Sequence, residues 1–565
     1  MNMNRKLKNE FGNNVKAKLI DDKVILSGEV SSWDEKVSAG LLVAKQGSRV
    51  HVVNDIVVKN LVEAKTIVSS INDKKLEGKK PDVLIIGGGV VGCAIARELS
   101  KYDLDILLVE KEYDVALHAS SRNDGMVHPG IDIKPGLLKK KLNNIGNEMY
   151  DDMCNDLNVK FNRCGQYLCF TKNNLLIPVI LTLPYFNLTA AGRAHFVGRK
   201  KLFNKEPGIS KDIKYGLYFD GAGTVCPYGL TIALAENAIE NGVAISLDTA
   251  VISIKVEDKK ITSVQTNRGE IYPKMTINAA GVFCEEIAKM AGDRFFSIHP
   301  RKGTNAILDK EAKKNINTIY TSVNSFNGDK KSNHTKGGGI VSTVDGNVLV
   351  GPNAIETSEK ENFDTEKSSI DNIFKKQKKA GTWLSGSDII TYFTGVRAAT
   401  YEEDFIVEKG RNTKNIIHSA GIQSPGLTAS PAIAVEIATI LKNEMPDIIE
   451  KTNFNKYRNS FPRISEMDED NRREYIEENP DYGEIVCRCE EISKGEIVDA
   501  MRSPLRCDTV DGIKRRARPG MGRCQGGFCG PQVAKMISEE KGIPLNKVRK
   551  GYEDSYILLG EKNEI

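Results

Sequence analysis

Hydrophobic and polar positions change period several times along this 565-residue chain, and each change marks an element. From Val15 to Val30, and again from Arg49 to Val58, apolar residues alternate with polar ones as strands do, and Asp34 to Gln46 between them has helical spacing. A small α+β unit over residues 1–60 is expected, with Ser32 capping its helix and Glu35 completing a capping box at N3. Trp33 either covers that small core or offers a contact, and no chemistry is visible around it. Residues 61–81 are lysine-rich and end at Pro81, which predicts a partly helical linker. Beyond it the apolar run Val83–Ile86 reads as a short buried strand. Gly87–Gly92 then reads G-G-G-V-V-G, Cys93–Ser100 has helical spacing, and a second strand, Asp105–Val109, ends at Glu110.

That order of strand, glycines, helix, strand and acid within about 30 residues is the pattern of a dinucleotide site. Gly87 permits the turn, Gly89 lets the backbone approach a pyrophosphate, and Gly92 allows the helix to pack closely on the strand. The helix N-terminus faces the phosphates, and Glu110 is placed to accept hydrogen bonds from a ribose. This fingerprint does not separate FAD from NAD, so segments able to hold a flavin ring decide the matter. Residues 118–136, H-A-S-S-R-N-D-G-M-V-H-P-G-I-D-I-K-P-G, supply donors and close-approach backbone at Ser120, Ser121, Asn123 and Gly125. Thr276–Gly281 ends an apolar strand in T-I-N-A-A-G, with Gly281 a second close-approach glycine. Ser419–Ile433 leads into an apolar helix, where N–H groups of Gly426, Leu427 and Thr428 would stabilise charge on a reduced flavin.

Composition narrows the setting. The chain is long enough for two or more domains, and its 40% hydrophobic and 27% charged residues are those of an ordinary globular protein. A net charge of +5, with scattered lysines, gives no argument for nucleic acid. There is neither an apolar signal core at the start nor an apolar run near 18 residues. With eleven cysteines, four of them crowded near the end, thiolate chemistry in a reducing, cytoplasmic setting is expected rather than a disulfide scaffold.

The segments V-V-G-C-A-I-A-R-E-L, M-V-H-P-G-I-D-I-K-P-G, V-C-P-Y-G-L-T-I-A and G-I-Q-S-P-G-L-T-A-S-P-A together resemble the D-amino-acid-oxidase-like FAD superfamily, within it the glycerol-3-phosphate dehydrogenase and L-2-hydroxyglutarate dehydrogenase branch. The resemblance covers about 82–440, within a domain expected over 82–442. It implies an α/β fold: a doubly wound FAD-binding domain with an interleaved antiparallel substrate domain over about 160–275 and 295–400. It also places Lys111, Val251 and Gly421 on the cofactor, and matches Arg397, in T-G-V-R-A-A, to an arginine that binds the substrate anion. Removing a hydride from a carbinol carbon to flavin N5 needs a base, and His128 is the candidate, against a histidine that only bonds the flavin or the backbone. Lys134, Arg301 and Lys302 are weaker candidates for the anion, and Tyr228 and His334 for the pocket lining. The segment H-P-R-K-G-T-N departs from the family, in which an acidic and an aromatic residue more often follow that glycine, and this leaves the substrate open. The N-terminal sequence V-K-A-K-L-I-D-D-K-V-I-L-S-G-E-V-S-S-W-D-E-K resembles the BON domain, which would allow a peripheral membrane contact.

After a polar link over 443–481, Cys487 and Cys489 form a C-x-C pair, and Cys524 and Cys529 a C-x4-C pair. Four thiolates suit the two irons of a [2Fe-2S] cluster. Structural zinc and free thiols are the alternatives. Glycines 520, 522, 526 and 527 would wrap the sulfurs, and Arg515, Arg516, Arg518 and Arg523 would offset the cluster charge. Residues 482–540 resemble the bacterioferritin-associated-ferredoxin-like (BFD-like) [2Fe-2S] domain, leaving Cys507 as packing and 541–565 as a tail. The expected activity is oxidation of sn-glycerol 3-phosphate or a related 2-hydroxy acid, with electrons leaving through the cluster to a redox partner subunit or a quinone-linked acceptor. L-2-hydroxyglutarate dehydrogenase or oxidase, secondary-amine oxidase, and a non-catalytic electron-transfer or scaffold subunit remain open.

Overall fold

The structure, a computed structural model, describes residues 2–44, 50–62, 64–323, 338–558 and 560. Its central layer is a six-stranded sheet in the order Ala244–Ser246, Ile106–Val109, Val83–Ile86, Met275–Asn278, Ile416–Ala420 and Ile406–Lys409. The first five are parallel and the last antiparallel. Val83–Ile86 and Ile106–Val109 are apolar at every position because helices or strands cover both faces. The strand order reverses between Val83–Ile86 and Met275–Asn278, and ligands of such sheets bind in the crevice at that point. Three helices, Val90–Leu99, Pro227–Glu240 and Gly426–Glu444, cover one face and share a single core. A three-stranded meander over 251–271 covers the other.

A nine-stranded, largely antiparallel sheet forms the second layer, with Ile298–Leu308 and Ile389–Thr400 paired along its length. It is interleaved as expected, but the range 160–275 is too wide. The helix Pro227–Glu240 and strand Ala244–Ser246 belong to the parallel-sheet layer, and 251–271 is the meander. Alternation identifies strands without saying which sheet they join.

In the N-terminal unit each of the two expected alternating segments divides into two strands, Val15–Ile20 with Lys23–Val30 and His51–Asn54 with Val57–Val58, around the expected helix, Trp33–Ala44, and an unforeseen helix, Asn2–Phe11, precedes them. Glu35 donates its N–H to Ser32 Oγ (3.3 Å), while its own carboxylate accepts from the Ser31 N–H (2.7 Å) rather than that of the cap. Trp33 packs against this unit's core. The expected helix in the linker is absent among its described residues. Instead the segment lies along the meander, with Leu76 in the core and Asp73 2.7 Å from Arg268.

At the other end, a two-stranded ribbon and three helices, Lys494–Arg502, Val510–Ala517 and Gly530–Lys541, form a small unit with its own core, in which Cys507 is buried. No helix among the described residues is long and apolar enough to cross a membrane.

Candidate active site

The sheet and its helices close around one cavity of about 1720 Å³. Gly89, Ser120, Asn123, His128, Gln423 and Gly426 are among the residues that line it. Just before Gly89, Gly87 has φ +112°, and a Cβ on Gly92 would lie 1.9 Å from the Gly87 carbonyl, so only glycine lets this helix sit so close to its strand. Glu110 closes the second strand. Its carboxylate accepts from the N–H groups of Gly88 (2.5 Å) and Glu112 (3.0 Å), and burial pushes its pKa up. Ser120 Oγ accepts from the Val90 N–H (2.8 Å), so a hydroxyl caps the helix that points at the cavity. Val251 lies just beyond Thr249, whose N–H donates to the Glu110 carbonyl (2.7 Å), and does not line the cavity.

Several expected residues act from behind the wall. Gly125 packs against the Val225 carbonyl, and Gly421 (φ +67°) against Thr400. Ser121 Oγ donates to the His118 carbonyl (3.4 Å). Thr428 Oγ1 accepts from the His128 N–H (2.9 Å), while the His128 carbonyl accepts from Asn147 (2.9 Å) and Asn143 (3.3 Å). The backbone of His128 is thus held on two sides. His128 lines the cavity, and its ring has no hydrogen bond among the described residues.

The cations divide sharply. Arg397, on the long strand Ile389–Thr400, lines the cavity, donates to the Asn353 carbonyl (3.0 Å) and forms no ion pair among the described residues. Desolvation, with repulsion from Arg301, lowers its pKa to about 10. A Cβ on Gly303 would come within 2.3 Å of its guanidinium, so the neighbouring strand leaves the arginine room. Arg301 is different. It is 2% exposed and already donates to Glu356 (2.6 Å), Glu403 (2.7 Å) and Gln423 (3.2 Å), so its charge is matched.

Three further expectations are corrected by the packing. Lys302 turns to Asn362 (3.0 Å), and Lys111 sits between Glu112 and Glu361 (2.5 Å each); neither lines the cavity. Tyr228 is also outside it, its hydroxyl accepting from Arg518 (3.2 Å). His334 lies outside the described residues. Lys134 lines the cavity but is exposed, whereas Lys139, which the sequence reading missed, lines it half-buried with a pKa lowered by burial. Helical spacing from Leu138 onward was the available signal for Lys139.

In the C-terminal unit Cys489 and Cys524 approach to 3.7 Å at the surface, and Cys487 hydrogen-bonds with Cys529 beneath them. The pairing in space therefore crosses the pairing in sequence. Cys529, then the backbone N–H groups of Gly520, Glu490 and Cys489, pull the Cys487 thiol down to about 6, and N–H groups of Phe528 and Gly526 lower Cys524. A single zinc ion would hold four sulfurs within roughly 3.8 Å of one another, given Zn–S bonds near 2.3 Å. Among the described residues, however, only Glu112, His118 and Glu361 bring three ligand atoms within 4.8 Å, and Lys111 already occupies two of those acids. Two sulfur pairs with N–H donors fit two irons better than one ion.

The arginines expected to offset the cluster charge mostly serve another purpose. Arg515 and Arg516 bind Asp114 of the parallel-sheet layer (2.9 and 2.8 Å), Arg518 binds Asp345 (2.7 Å) and Glu490 (3.2 Å), and Arg523 lies 3.2 Å from Asp309.

Residues 82–440 match the family model described as FAD dependent oxidoreductase, and residues 485–539 the BFD-like [2Fe-2S] binding domain. A glycerol 3-phosphate dehydrogenase of Caloramator mitchellensis is 38% identical over 485 residues, covering 86% of this chain and 99% of the relative. The anaerobic glycerol-3-phosphate dehydrogenase subunit A1 of Haloferax volcanii is 23% identical, over 85% of this chain and 86% of its own. Among solved structures, dithionite-reduced L-α-glycerophosphate oxidase of Mycoplasma pneumoniae with FAD bound superposes with a TM-score of 0.62 at 28% identity, covering 68% of this chain and all of that one. FAD and a [2Fe-2S] cluster are the cofactors these findings support, and the glycine cradle and the paired thiols fit them.

Proposed function

The chain belongs to the FAD dependent oxidoreductase family, and from that premise we propose that it is a dehydrogenase acting on sn-glycerol 3-phosphate and passing the electrons out through its [2Fe-2S] domain. The observation that carries the substrate class is Arg397, a cavity guanidinium with no carboxylate partner among the described residues. A phosphate or carboxylate placed there gains a two-pronged, charge-assisted partner in a site of low dielectric. Lys139, which also lines the cavity, adds a second positive charge. His128, its backbone fixed by Thr428, Asn143 and Asn147, takes the hydroxyl proton of the bound substrate. Bound FAD supplies the hydride acceptor and the cluster a one-electron outlet. First-turn N–H groups of Leu427 and Thr428, which a helix leaves without internal partners, would stabilise negative charge on a reduced flavin.

The exposure of Cys489 and Cys524 supports an electron exit at the surface, toward a redox partner or a quinone-linked acceptor. Eleven free cysteines support a reducing, cytoplasmic setting. The N-terminal unit is read as BON-like on its sequence and its strand and helix order.

Anaerobic mixing with candidate substrates tests the reading. Bleaching of the flavin band by sn-glycerol 3-phosphate, and not by L-2-hydroxyglutarate, sarcosine or proline, is expected. Bleaching by an amine instead would refute it.

A further inference from the structure

Part of the catalytic cavity is built by residues outside both family matches, which span 82–440 and 485–539. Leu41, Ala44, Val50 and His51 of the N-terminal unit line it beside Glu402. The unit is fastened there by several contacts. Asn54 donates to Tyr401 (2.9 Å) and Ser297 (3.0 Å), the Val52 N–H donates to Glu402 (2.5 Å), and Asp55 pairs with Arg294 (2.6 Å). Gly40 lies so close to the Tyr401 ring that a Cβ would come within 2.3 Å of it.

The cavity, at about 1720 Å³, is larger than the roughly 300–1,000 Å³ of ordinary small-molecule sites. At the seam His51 and Glu402 stand 4.0 Å apart, and among the described residues two buried atoms, Nδ1 of His51 and Oε2 of Glu402, have no hydrogen-bond partner. Buried polar atoms are nearly always bonded. Burial lowers the pKa of His51 and pushes Glu402 up to about 7. A hydroxyl group answers both atoms, accepting from a protonated Nδ1 and donating to the carboxylate. The seam is also linked to the arginines of the cavity. Glu403, next to Glu402, binds Arg301 and Gln423, and Arg301 lies close enough to Arg397 to depress its pKa.

We propose that the N-terminal unit is a wall of the catalytic cavity, and that His51 and Glu402 together bind a substrate hydroxyl. The hydroxyl subsite rests on the substrate reading above, and the group it would read is the terminal hydroxyl of sn-glycerol 3-phosphate. Propane-1,2-diol 1-phosphate keeps the phosphate and the secondary alcohol and lacks only that hydroxyl. Wild-type holoenzyme should prefer the glycerol compound in kcat/KM by about 10–100-fold, the range for leaving buried partners unmet. In His51→Phe the ratio should fall close to one through loss of activity on the glycerol compound alone, with FAD and iron content unchanged. His51→Gln, which keeps a donor, should hold most of the ratio. An unchanged ratio in a fully loaded His51→Phe overturns the subsite.

If the wild type oxidises neither compound, the substrate reading has failed, and the wall is judged separately by iodide quenching of flavin fluorescence. Gly40→Ala presses on Tyr401 and should raise quenching severalfold as the wall lifts. Unchanged quenching in that variant overturns the wall.

Discussion

The joint between the flavin layer and the cluster unit concentrates on Asp114, and replacing it by asparagine tests how the joint is held. Asp114 and Arg516 are nearly inaccessible, with side chains 2% and 1% exposed. The carboxylate accepts from Arg516 at 2.8 and 3.1 Å and from Arg515 at 2.9 Å. Burial works against its ionisation, but the two arginines outweigh that and hold its pKa below the ordinary 3.8. Asp114→Asn keeps the shape and strands the buried Arg516 cation, a change that typically destabilises by about 3–5 kcal/mol. Arg506–Asp248 (2.7 Å) and Arg518–Asp345 (2.7 Å) remain and limit the damage to this joint.

Urea unfolding, followed by flavin fluorescence and by the cluster's visible circular dichroism as separate probes, reads the effect. With a slope of about 1–3 kcal/mol per molar, the cluster transition should fall by about 1 M or more, while the flavin transition moves less. Adding Arg516→Met should restore part of the loss, because an apolar side chain replaces the stranded charge of Arg516. Because the folded pKa is depressed, the stabilisation is complete above the unfolded value near 3.8 and is lost only as pH falls below it. The cluster transition should therefore be flat with pH around neutrality. Coincident transitions in wild type and Asp114→Asn would refute this account of the joint.

Other outcomes follow from the same geometry. Arg397→Met should lower kcat/KM for sn-glycerol 3-phosphate by about 10–100-fold, the loss of charged hydrogen bonds worth about 1.5–3 kcal/mol, with FAD content unchanged. Arg301→Met should instead impair folding, because it strands Glu356 and Glu403, and soluble yield with the thermal midpoint reads that. His128→Ala should reduce the rate of anaerobic flavin bleaching by about 10²–10⁴-fold without preventing its completion. Cys524→Ala should remove iron while substrate still bleaches the flavin, as metal analysis and visible spectra would report.

Much of the parallel layer was legible because its signals are local. Gly87, Gly92 and Glu110 stand at fixed offsets around a strand and helix, and the backbone there admits few alternatives. The four cysteines were legible as a set but not as pairs, since Cys489 meets Cys524 only after two helices fold back. Charge was the least readable property. Arg301 and Arg397 both lie on cavity-lining strands, and only tertiary packing shows that Glu356 and Glu403 neutralise one and leave the other open. Likewise Arg515 and Arg516 sit near the cysteines in sequence, yet Asp114, some 400 positions away, takes their charge. Nothing in the first 60 residues announced that His51 would face the catalytic cavity, because that depends on how two independently patterned units dock.

The most direct test of the central claim is single-turnover mixing of sn-glycerol 3-phosphate with oxidised holoprotein under anaerobic conditions, recorded across the visible spectrum. The flavin band should bleach first and the cluster absorbance should follow, with the second phase absent in Cys524→Ala. An unchanged spectrum after sn-glycerol 3-phosphate, in protein whose flavin and cluster both respond to dithionite, would contradict it.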